Sequence, residues 1–142
     1  MNGEIYYYDY KAWWRSEVMR VRYLGAPGTP PKPIDGRYYF TPGQECVVLE
    51  LHVRVDGSSS LRIEHARGDL AGLFSGEFFE QISCVIPSLW SVELYAQGGL
   101  SMGPKGWISG DFWERMMDRD PEAEEEFTAV RDAINSEDPI SR

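Results

Sequence analysis

Two cysteines and two histidines are all that the 142 residues offer of the side chains that most often bind transition metals or act as nucleophile and base. Cys46 and Cys84 stand 38 positions apart, outside any metal-type spacing. A pair of buried thiols in a reducing compartment is the expected state, rather than a disulfide. A Ser-His-Asp or Cys-His relay needs a base with a free nitrogen beside a nucleophile, and only His52 and His65 are available. Cys46 and His52 share a strand face, but six positions at ~3.4 Å each put them roughly 20 Å apart, too far to share an ion. No apolar run approaches the ~20 residues that a membrane span needs. The opening Met1-Asn2-Gly3-Glu4 has neither the basic nor the apolar region of a secretory leader, so cytoplasmic residence is the expectation.

Other chemistries fail on detail. Gly98-Gly99-Leu100-Ser101-Met102-Gly103-Pro104-Lys105-Gly106 has the glycines of a phosphate loop. Pro104 removes a backbone donor, however, and Gly106 occupies the place of the required hydroxyl. The acidic run Glu122, Glu124, Glu125, Glu126 lacks the glycine-centred loop of a calcium hand. Arg15, Arg20 and Arg22 near Trp13 and Trp14 come closest to a nucleic-acid footprint, but a pI of about 4.7 opposes it. The sequence therefore predicts no cofactor, no metal, no nucleic-acid or membrane partner, and no enzymatic activity.

What the chain does have is an uneven charge. From Asp111 to Pro139 eleven Asp and Glu face three Arg, a balance of -8; residues 1–110 hold twelve acidic and ten basic residues, or -2; Arg142 adds one, for a total of -9. Such a field favours basic partners. Hydrophobic residues at 42% and aromatics at 13% are ample for a packed core. A single globular domain over residues 1–142 is expected, with disorder limited to the last few residues.

Periodicity then assigns elements. Glu4–Tyr10 reads as a strand; Lys11–Met19 has the makings of a short helix while Val18–Leu24 alternates as a strand, so that boundary stays open, and the proline-rich loop 25–33 follows. Cys46–Val55 alternates at period two, with Val47, Leu49, Leu51, Val53 and Val55 on one face and Cys46, Val48, Glu50, His52 and Arg54 on the other. A five-residue turn at Asp56–Ser60 would pair this strand with Leu61–His65, setting Val55 opposite Leu61 and His52 opposite Glu64. Between Gly68 and Pro87, Phe78, Phe79 and Ile82 recur at helical spacing behind candidate caps Asp69 and Ser75, which predicts one or two short helices. Leu89–Ala96 and Leu100–Met102 read as a hairpin around Gly98-Gly99. Asp111 with Glu114 has the form of a capping box, and Asp120-Pro121 opens a final helix with an apolar stripe at Ala123, Phe127, Val130 and Ile134. The predicted class is α+β, an antiparallel sheet of about five strands with helices on one face and acidic C-terminal helices.

Two features carry the functional expectation. The final helix turns Glu125 and Asp132 outward with Glu122 and Glu124 at the flanks, and the Glu122–Glu126 pair repels by a few tenths of a kcal/mol. First-turn carboxylates suit the helix dipole, so only part of this cluster calls for a partner. Tyr6, Tyr7, Tyr8, Tyr10, Trp13 and Trp14 form an aromatic cluster of the kind favoured at binding hot spots. His52 with Glu64 and Arg54 could instead hold a general base, although cross-strand charge pairs are common in sheets.

The Pro87-Ser88-Leu89-Trp90 strand entry and the passage from Gly106-Trp107 to Phe112-Trp113-Glu114 before an acidic helix resemble, in general build, the small acidic immunity proteins of bacterial toxin systems. That resemblance implies a protein-binding inhibitor that covers the active site of a cognate toxin, of a basic, nuclease type. Its expected partner-binding residues are Asp118, Asp120, Glu122, Glu125, Asp132, Trp113, Tyr8, Tyr10 and Trp14. The competing expectations are a small enzyme or ligand-binding domain with an aromatic-lined pocket, and a structural subunit of a larger assembly.

Overall fold

The structure, a computed structural model, describes residues 18–28, 30, 33–65 and 70–137. The predicted strand Glu4–Tyr10 and the residues Tyr8, Tyr10 and Trp14 lie outside the described residues. Among the described residues, eight strands and three α-helices are arranged as two antiparallel sheets with helical cover, so the class is α+β. β1 (Met19–Tyr23) is the centre of a three-stranded sheet, between β2 (Glu45–Val47) and β6 (Phe79–Cys84). The larger sheet has the order β5-β4-β3-β8-β7, built from Gly72–Ser75, Ser59–Ile63, Glu50–Val53, Leu100–Pro104 and Trp90–Leu94.

The long alternating run Cys46–Val55 is therefore two strands in two sheets. The chain crosses between them at Val48 and Leu49, and both side chains are buried because each faces a sheet. The expected one-faced strand is corrected accordingly: Cys46, Val48 and Glu50 are buried, while Val55 at its end is 78% exposed. Burial pushes the Cys46 thiol up to about 11, with Arg20 pulling against that rise and the Glu45 carboxylate adding to it. A thiol in that state is inert at neutral pH.

Residues 72–84 hold no α-helix. β5, a short 3-10 turn at Gly76–Phe78 and β6 take their place, and Ser75 makes no side-chain cap. The apparent helical spacing of Phe78, Phe79 and Ile82 belongs to a turn followed by a strand. β6 is fixed by pairing with β1, where Tyr23 meets Phe79 and Arg22 meets Glu80. Tyr23, Phe40 and Phe79 then pack with ring centroids 5.3–5.6 Å apart, and Phe74 joins Phe40 at 4.9 Å. His65 is half-buried, its ring centroid 4.4 Å from that of Tyr39.

The β3–β4 hairpin forms, but with a tighter turn than expected. Arg54 N–H donates to Ser58 O and Gly57 N–H to Arg54 O, which leaves a three-residue loop with Gly57 at φ +88°. This is the turn that uses glycine to reach the left-handed region. Ser58 also donates its N–H and hydroxyl to Asp56 Oδ1, holding that carboxyl below its ordinary range. The tighter turn sets Leu51 opposite Leu61, His52 opposite Ser60 and Glu50 opposite Arg62. The expected His52–Glu64 pairing is thus overturned by the length of the turn.

Helices α1 (Lys105–Ile108), α2 (Phe112–Met117) and α3 (Pro121–Ser136) cover one face of the larger sheet. Trp107 is stacked between Phe112 and Phe127, at centroid distances of 5.4 and 5.1 Å. Asp111 occupies the cap position of α2 without capping; its carboxylate takes Arg115 Nε at 3.2 Å instead, so the capping box is not formed. Asp120 does cap α3, accepting from Glu122 N–H at 3.1 Å. Its own N–H also closes the end of α2 on Arg115 O, with Arg119 in the left-handed conformation between them at φ +58°. One residue thus ends one helix and begins the next. The predicted stripe of α3 is buried at Ala123, Phe127 and Ile134, and half-buried at Val130.

Candidate functional site: a polar row and an acidic helix face

The covered face of the larger sheet is unexpectedly polar. In register across all five strands run Ser75, Ser60, His52, Ser101 and Glu93. Beside that row, Glu50 is wholly buried and carries three donors. Its Oε1 accepts from His52 Nε2 at 2.9 Å and from Arg62 Nε at 3.2 Å, and its Oε2 accepts from Trp113 Nε1 at 2.7 Å. The Arg62 guanidinium lies 3.7 Å from the Trp113 ring centroid and donates to Ala71 O. Burial lowers the Arg62 pKa and the charge of Glu50 offsets only part of that, leaving a desolvated ion pair. Room for the carboxylate comes from Gly103, where a Cβ would stand 2.8 Å from Glu50 Cγ.

His52 continues the chain. Its Nδ1 is 2.7 Å from Ser101 Oγ, which is 2.6 Å from the Tyr95 hydroxyl. An ionised Glu50 only accepts, so a neutral imidazole keeps its proton on Nε2 and accepts at Nδ1 from Ser101, whose oxygen accepts from Tyr95. The order hydroxyl, imidazole, carboxylate is that of a nucleophilic relay. Ser101 is only 2% exposed, however, and its oxygen is bonded on both sides. The Ser101 hydroxyl is therefore not presented outward, and the chain works as a tie between strands.

Glu64, the carboxylate expected beside His52, accepts instead from Arg131 Nη1 at 2.7 Å and anchors α3 to β4. Arg54 donates to Ser58 and Ser60. Glu50 was missed as the hub because the longer turn assumed for the hairpin hid its pairing with Arg62. Gly57 followed by Ser58 was the signal for the shorter turn.

On the outer side of α3, Glu122, Glu125, Ala129, Asp132 and Ser136 follow one another at spacings of three and four and all are exposed. Asp118 stands just before them, exposed at the end of α2. Asp118, Glu122 and Glu125 have no side-chain ion pair or hydrogen bond among the described residues. The other expected binding residues are engaged: Asp120 caps α3 and lies 3.5 Å from Arg115, and Asp132 accepts from Arg131 Nε at 2.9 Å. At the flanks, Glu124 pairs with Arg119 and Glu126 with Arg115. Trp113 is turned inward, its N–H on Glu50 and its ring under Arg62.

The opposite face of the sheet carries an apolar margin. Leu94 pairs with Leu100 and Val92 with Met102, and beyond the small sheet Val92 and Leu94 are 56% and 75% exposed. Among the described residues no helix is long and apolar enough to cross a membrane, and no group of His, Cys, Asp and Glu is placed to hold a metal ion. No family model, no curated protein and no solved structure matches the chain.

Proposed function

We propose that the protein acts by binding another protein, as an immunity-like inhibitor that neutralises a cognate toxin of basic, nuclease type through the outer face of α3. The observation that carries this reading is the pair of carboxylates Glu122 and Glu125, unpaired among the described residues, on a helix clamped to the sheet by Arg131–Glu64, with Asp118 preceding them at the end of α2. Carboxylates fixed on a rigid helix match a basic surface without the ordering cost a flexible acidic tail would incur. Such a field steers association and acts mainly on the on-rate.

The test is association with a basic nuclease-type toxin domain, sought first among the products of neighbouring genes and followed by stopped flow across a salt series; a neighbourhood without such a gene counts against the reading. The expected on-rate falls at least about tenfold from low to high salt, and Glu122→Gln with Glu125→Gln lowers the low-salt rate without altering the fold. An on-rate indifferent to salt removes the role assigned to α3.

The apolar margin at Val92 and Leu94 favours a second reading, as a subunit of a larger assembly. Light scattering of the purified protein, with and without Leu94→Ser, separates the two. A self-associated species dispersed by Leu94→Ser supports the second reading.

A further inference from the structure

The bare end of the polar face holds a cavity of about 720 Å³ beside the β3–β4 turn. That size is within the range of small-molecule sites. Arg54 lies in its wall, and it is singular among the eight described arginines. Arg20, Arg22, Arg37, Arg62, Arg115, Arg119 and Arg131 each have a carboxylate within 4 Å, whereas the Arg54 guanidinium bonds only to hydroxyls and meets the charge of Asp56 at longer range. Its Nη2 donates to Ser60 Oγ at 2.5 Å and its Nη1 to Ser58 Oγ at 3.2 Å. Ser58 spends its own proton on Asp56 and so serves to orient the guanidinium. Ser60, buried to 7% exposure, accepts from Arg54 and has no acceptor for its proton among the described residues.

Unspent donors on a fixed guanidinium and a buried hydroxyl thus line one cavity, an arrangement complementary to an anion. The remaining walls restrict which anion. Ile34 and Leu73 line the cavity with apolar side chains that are 51% and 40% exposed, so a ligand gains by covering them. Glu77 also lines it, and the whole chain carries -9. Both oppose a multiply charged ligand. We propose that this cavity binds a small organic monocarboxylate, its carboxylate on Arg54 and Ser60 and its apolar tail against Leu73 and Ile34. The site stands apart from α3 and does not depend on the protein-binding reading.

The test is a titration of the full chain, followed by amide shifts in two-dimensional NMR, with hexanoate, acetate, hexanamide and inorganic phosphate as probes. Hexanoate is expected to saturate with a Kd on the order of 1 mM, moving the amides of Ser58, Ser60 and Leu73. Acetate should bind at least about tenfold more weakly for want of the tail. Hexanamide and phosphate should leave these amides unmoved. Arg54→Gln should weaken hexanoate at least about tenfold, as loss of a charge-assisted pair requires, with an unchanged melting curve. Ser60→Ala provides a second variant should Arg54→Gln perturb the turn. Absence of saturable shifts with hexanoate, equal binding of hexanamide, or preference for phosphate each overturns the proposal.

Discussion

The two ends of one sheet face treat polar side chains in opposite ways. Under the helices, Glu50, Arg62 and Trp113 lock together, and Glu64 meets Arg131, so that strong donors and acceptors find one another as they lose water. At the bare end, Arg54 donates to Ser58 and Ser60, and the Ser60 hydroxyl proton has no acceptor among the described residues. The strands supply polar residues to both ends; what differs is whether a helix arrives with the complementary group. A buried charge that lacks its partner costs several kcal/mol, whereas an exposed one costs little because water substitutes. The covered end is therefore bound to its present arrangement, and the bare end is free to take a ligand.

The widest separation between the two ends should come from Glu50→Ala, which leaves Arg62 buried without its anion and Trp113 without its acceptor. A loss of about 3–5 kcal/mol is expected in urea unfolding. Trp113→Phe keeps the ring over which Arg62 lies and removes only the donor to Glu50 Oε2. It should cost about 1–3 kcal/mol, the penalty of one unsatisfied buried acceptor. Asp120→Ala tests the cover itself by removing the cap of α3, with an expected loss of about 1 kcal/mol and fraying visible as faster amide exchange at Glu122. Arg54→Gln at the bare end should shift stability by less than about 0.5 kcal/mol in the same urea experiment. A cost at Arg54 equal to that at Glu50 would erase the distinction.

The hairpins and the last helix were legible in the sequence because their signals are local. Gly57 and Gly98-Gly99 mark turns, Asp120-Pro121 marks a helix start, and the stripe Ala123, Phe127, Ile134 repeats within a few residues. The acidic outer face of α3 followed from that stripe. β6 was not legible, since its identity depends on pairing with β1 about 60 residues earlier in the chain. Nothing near Phe79 distinguishes a strand from a helical turn on spacing alone. The break at Val48–Leu49 was hidden for a related reason: alternation persists across the crossing, and only the second sheet reveals it. The buried hub escaped because its three donors come from Arg62, His52 and Trp113, and the indole is 63 positions away from Glu50.

That separation has a consequence for the order in which the molecule can be made. Arg62 follows Glu50 by 12 positions, Ser101 follows His52 by 49, and Trp113 follows Glu50 by 63. During synthesis the β3–β4 hairpin can close early, as local contacts permit, while its inward carboxylate remains hydrated. Drying out that carboxylate must wait for the C-terminal third of the chain to emerge. A ribosome-bound fragment ending before Trp113 therefore leaves Glu50 without its indole donor and that face wet, and the emergence of α2 is what lets the carboxylate be buried.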